Sequence, residues 1–80
     1  MKRKVMKKGK IADIKEMLDR LKALRKEKNL GQEYIAEQLG IDSTTYIEKE
    51  NGLIPMTIKE WLQISNIAEV KLLYFLKDNS

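Results

Sequence analysis

The side chains that could do chemistry in this sequence are carboxylates, amines and hydroxyls, because it contains neither cysteine nor histidine. Their absence removes thiol nucleophiles, imidazole bases, disulfides and the usual zinc ligands together. Glu33, Glu37, Glu48 and Glu50 offer carboxylates for acid-base work, but on surface helices such groups are normally solvating charges. No glycine-rich phosphate loop and no metal-ligand cluster accompanies them. The residues therefore point to a protein that binds rather than catalyses, with no cofactor.

The amines are unevenly placed. Six of the sixteen Lys and Arg residues (Lys2, Arg3, Lys4, Lys7, Lys8 and Lys10) fall within residues 1–10, where none of the twelve acids occurs. Ten bases and twelve acids remain, so the formal +4 resolves into a +6 start and a −2 body. A basic run of this kind is either a solvated tail or an arm that neutralises phosphates, and both readings are open. It has too few apolar residues to pack and is expected to be a mobile arm. It leads into no apolar signal core, and no stretch approaches the ~20 apolar residues of a membrane span. The expectation is a cytoplasmic protein with no membrane partner.

Eighty residues, 42% of them hydrophobic with a single proline, suit one small helical domain. The domain is expected over residues 11–77, with 78–80 frayed. Ile11, Ile14, Leu18, Leu21 and Leu24, with Met17 beside them, recur at helical spacing and predict a first helix running to about Lys28. Gln32 to Leu39 reads as a second helix, with Tyr34 or Ile35, Ala36 and Leu39 inward, stopped at Gly40. Ile41 plugs the turn. Asp42 or Ser43 caps a third helix reaching Glu50 and ended by Asn51-Gly52.

Leu53 to Met56 is a linker, after which Thr57 and Glu60 have the spacing of a capping box. Ile58, Trp61, Leu62, Ile64 and Ser65 are candidates for the inner side of that fourth helix. Val70 to Leu76 predicts a fifth helix offering Leu72, Leu73, Phe75 and Leu76 to the core. No strand signal or internal repeat appears.

Two short helices around a glycine turn, with Ala36 allowing close approach, make a bihelical corner. Leu24-Arg25, Gln32-Glu33-Tyr34-Ile35-Ala36, Leu39-Gly40-Ile41, Ser43-Thr44-Thr45-Tyr46 and Glu50-Asn51-Gly52 occur in that order. As a set, covering about residues 18–70, they resemble the Cro and phage-repressor type of helix-turn-helix, the XRE family. The resemblance implies an all-α, five-helix bundle of the lambda-repressor type, with the helix-turn-helix at about 32–50.

It further implies that the helix from Ser43 lies in the major groove of double-stranded DNA while the helix from Gln32 crosses the backbone. Gln32 would contact phosphate, Ser43, Thr44 and Glu48 would face base edges, and Thr45 would approach the backbone. A carboxylate such as Glu48 only accepts, most naturally from a cytosine amino group. Arg25 and Glu50 would form an ion pair.

The sequence departs from the family at four places. The stretch Asp42 to Glu50 is net negative, and Leu53 to Met56 stand where relatives carry phosphate-binding bases. Lys49 occupies a normally apolar, inward position, and Ile47 a normally polar, outward one. Either the helix is rotated or Lys49 buries its methylenes and extends its ammonium to the DNA backbone. With a negative body, Lys2, Arg3 and Lys4 of the arm are the expected source of phosphate affinity. The function implied is a sequence-specific transcriptional regulator working as a homodimer. The alternative is a module turned to protein partnership, such as an antitoxin or a regulatory-complex subunit.

Overall fold

The structure, a computed structural model, describes residues 13–76. Five helices succeed one another: α1 (Ile14–Glu27), α2 (Gln32–Leu39), α3 (Ser43–Glu50), α4 (Ile58–Ala68) and α5 (Leu73–Leu76). The described residues contain no strand. No helix among them is long and apolar enough to cross a membrane.

Each helix starts and stops for a local reason. Asp13 caps α1 in a reciprocal box with Glu16, and Thr57 does the same for α4 with Glu60. Asp42, rather than Ser43, caps α3 by accepting from the Thr44 N–H. At the other ends, Asn29, Gly40, Gly52 and Glu69 all take left-handed backbone. In each case the next residue's N–H reaches back five residues: Leu30 to Arg25, Ile41 to Ala36, Leu53 to Glu48 and Val70 to Ser65. These are Schellman closures, which satisfy the last carbonyls and normally fold an apolar residue back onto the helix. Leu30, Ile41 and Val70 do pack against the core, whereas Leu53 remains 74% exposed.

The core gathers Met17, Leu18, Leu21 and Leu24 from α1, Ile35 and Ala36 from α2, Tyr46 from α3, Trp61, Ile64 and Ala68 from α4, and Phe75. Trp61 and Phe75 pack ring against ring, with centroids 5.1 Å apart. α2 lies against α3 and α4, and α1 against α5 and α3.

Several expected core residues lie outside it. Ile14 is exposed because the Asp13 cap begins the helix at that residue and leaves it on the first, open turn. Ile11 lies outside the described residues, as do residues 1–10 and 77–80. Of the Tyr34–Ile35 pair, Ile35 is the buried member. Ile58 and Leu62 face outward, since α4 turns Trp61, Ile64, Ser65 and Ala68 inward. α5 is a single turn rather than the span from Val70, because Val70 is spent closing α4; Leu73 is exposed and Phe75 is fully buried.

Candidate nucleic-acid interface

The α2–turn–α3 corner is fixed from behind by a buried polar cluster. On α3, Tyr46, Lys49 and Glu50 are buried, at the i, i+3, i+4 spacing that places side chains on one face. Arg25 of α1 meets Glu50 in a two-pronged pair, Nε to Oε2 at 2.8 Å and a terminal nitrogen to Oε1 at 3.1 Å. Arg25 also donates to the Leu30 carbonyl at 3.2 Å, so it braces the closure of its own helix. The Gln32 amide donates to Glu50 Oε1 at 2.8 Å, and the Tyr46 phenol to Oε2 at 2.7 Å.

Glu50 thus accepts four hydrogen bonds, two at each oxygen, which fills the acceptor capacity of a carboxylate. Burial pushes its pKa upward, but the hydrogen bonds from Arg25, Tyr46 and Gln32 and the Arg25 charge outweigh burial, and the net shift is downward. Burial, and then the hydrogen bond to Glu50, drives the Tyr46 phenol far above its ordinary value. The phenol stays a donor and the carboxylate stays charged.

Lys49 supplies a second brace. Its ammonium donates to the Pro55 carbonyl at 3.0 Å and pairs with Glu60 Oε1 at 3.1 Å. The same Glu60 oxygen accepts the Thr57 N–H at 2.9 Å, so one carboxylate both caps α4 and holds α3. Burial raises the Glu60 pKa, and the Thr57 and Lys49 hydrogen bonds together with the Lys49 charge lower it by more. Neither a rotated helix nor a lysine reaching for DNA describes Lys49 in the structure. The helix is not rotated, since Tyr46, Lys49 and Glu50 form its inward stripe, and the ammonium points into the protein rather than toward solvent.

What remains outward on α3 is Thr44, exposed, with Ser43, Thr45, Ile47 and Glu48 half-buried. Thr44 and Glu48 are four residues apart and share a face. Gln32 is half-buried at the start of α2; one amide N–H is engaged by Glu50, and a primary amide has a second. Gly31 caps α2 without a side-chain acceptor for the first-turn N–H groups. Lys2, Arg3 and Lys4 lie outside the described residues.

Sequence reasoning named Tyr46 in the family series and Glu60 as a capping-box residue but missed the bond of the first to Glu50 and of the second to Lys49. The i, i+4 spacing of Tyr46 and Glu50 was the available signal for the first. For the second, the only signal was a lysine at an apolar position.

Residues 19–77 match the family described as a helix-turn-helix domain. The chain belongs to the helix-turn-helix family, of the XRE type. This helix-turn-helix protein is also similar to a Bacillus subtilis (strain 168) protein described as an uncharacterized HTH-type transcriptional regulator, YqaE. The two are 40% identical over 62 residues, which is 78% of this chain and 53% of that relative. The helix-turn-helix chain therefore spans about half the length of the relative it matches. No solved structure matches it.

Proposed function

We propose that this chain is a sequence-specific, double-stranded DNA-binding transcriptional regulator that reads the major groove with α3. One observation supports this most. The Arg25–Glu50–Tyr46–Gln32 cluster locks α3 from its inner side and leaves Ser43, Thr44, Ile47 and Glu48 along the other.

On that reading Ser43 and Thr44 meet base edges through their hydroxyls, and Glu48 accepts from a cytosine amino group. Ile47, half-exposed beside them, offers apolar contact to a thymine methyl. Thr45 approaches the backbone. The second Gln32 N–H and the α2 first-turn N–H groups, which Gly31 leaves without a side-chain acceptor, suit a phosphate oxygen. Lys49, held by Glu60, has no part in the contact.

One such module reads few base pairs, so the working form is a homodimer on a two-fold site. Lys2, Arg3 and Lys4 add phosphate affinity from the arm. A second reading, protein partnership, is favoured by acidic Asp42 at the exposed start of α3 and by exposed Leu53 and Ile58.

The test is retention of fragmented genomic DNA near physiological salt by the full chain and by a version lacking residues 1–10. The proposal expects one palindromic motif from both. Retention by the full chain alone without a motif would make the arm a general phosphate binder, and a monomer retaining no DNA would favour the protein-partner reading.

A further inference from the structure

The charge pattern around α3 leaves a physical problem for DNA binding. Asp42 and Glu48 repel phosphate, Lys49 is turned inward, and residues 51–57 contain no cation. Some other group must offset that repulsion at the C-terminal end of the helix.

An open groove at that end is lined by Lys15, Leu18, Asp19 and Lys22 of α1 together with Glu50, Asn51 and Gly52. Its charges mostly cancel. Lys15 pairs with Asp19 at 3.2 Å, and Glu50 is neutralised by Arg25 from behind. When these two pairs are set aside, Lys22 remains as the uncompensated charge of the groove. It pairs with no carboxylate among the described residues and is half-buried, the usual state of a lysine that lays its stem along the protein and keeps its ammonium in water. Gly52 brings no side chain between them.

We propose that Lys22 is a DNA backbone contact, binding the phosphate that lies over Asn51 and Gly52 and standing in for the missing cations of the α3–α4 linker. The inference rests on the DNA-binding reading above. The eight residues of α3 span about 12 Å, close to the width of the major groove, so a helix laid in that groove brings one end against each flanking strand. Lys22 meets the strand at the C-terminal end. Because phosphate contacts carry no sequence information, Lys22 sets affinity and salt dependence without setting specificity.

The test compares the intact chain with its Lys22→Gln, Lys22→Arg and Lys59→Gln variants on a random-sequence duplex pool, from about 50 to 200 mM salt. Gln and Arg have helix propensities near that of Lys, so α1 is retained, which circular dichroism verifies. The slope of log affinity against log salt should fall by about 0.9 in Lys22→Gln, one phosphate contact. It should hold in Lys22→Arg and in Lys59→Gln, whose exposed lysine lies outside the groove. An unchanged slope in Lys22→Gln, or an equal loss in Lys59→Gln, overturns the assignment while leaving the DNA reading in place. Failure of the intact chain to retain any duplex at the lowest salt overturns the DNA reading, and this assignment with it.

Discussion

Tyr46 and Glu50, one turn apart on α3 and both buried, are joined by a 2.7 Å hydrogen bond from the phenol to Oε2. The bond occupies the last acceptor site of a carboxylate already held by Arg25 and Gln32. Tyr46→Phe keeps the ring and removes the donor. A hydrogen bond to a charged group contributes about 1.5–3 kcal/mol, so urea unfolding should show a loss of that size.

Arg25 to Glu50 is the part of the cluster whose loss should cost most. Arg25→Met leaves a buried carboxylate without its counter-charge, an expected cost of about 3–5 kcal/mol. The total stability expected at about 0.05–0.15 kcal/mol per residue is only about 4–12 kcal/mol for a chain of this length. The double variant Arg25→Met, Glu50→Gln should lose less than the sum of the two singles, because the stranded charge is gone. Additive losses in denaturant titrations would mean that the pair is not coupled.

Acid should weaken the fold through the same groups. The pKa values of Glu50 and Glu60 are lowered in the folded state, so their contribution is present above the ordinary carboxylate range and is lost as pH falls through it toward the folded values. Stability should therefore decline from about pH 5 downward. Glu50→Gln should be less stable at neutral pH yet decline less steeply, the residual slope coming from Glu60. Parallel pH curves for the two proteins would contradict the account.

Lys49→Met tests the inward lysine. Replacing one side of a nearly buried ion pair with an apolar chain of similar length fills the same space, and Glu60 keeps its bond from Thr57. Stability should nevertheless fall, by up to about 3 kcal/mol, because removing one partner of a nearly buried pair strands the other charge, and the double variant Lys49→Met, Glu60→Gln should lose less than the sum of the two singles. DNA affinity should be unaltered, whereas an ammonium reaching the backbone would show as a lower salt slope.

The corner itself was legible in the sequence because its signals are local. Gly40 must take left-handed backbone, Asp42 caps α3, and Thr57 with Glu60 caps α4, each within a few residues. Periodicity was less informative at helix ends. Ile14, Ile58 and Leu73 stand on first turns, where an apolar residue in register with the stripe can still lie beyond the packed surface. The Arg25–Glu50 pair was expected from the family resemblance, whereas the Lys49–Glu60 pair was the hardest to read. Lys49 and Glu60 meet across the linker, so only the folded chain discloses why a lysine is accommodated at an inward position. The arm residues Lys2, Arg3 and Lys4 lie outside the described residues, and their role stands as an expectation.

The central claim is that the outward face of α3 reads base edges. The most direct measurement is the motif selected from a random duplex library by the intact chain and by Glu48→Gln and Thr44→Ala. The account predicts a palindromic motif whose preference relaxes or shifts at one position per half-site in each variant, with the salt slope unchanged. An identical motif from all three proteins, or no motif from a folded intact chain, would contradict it.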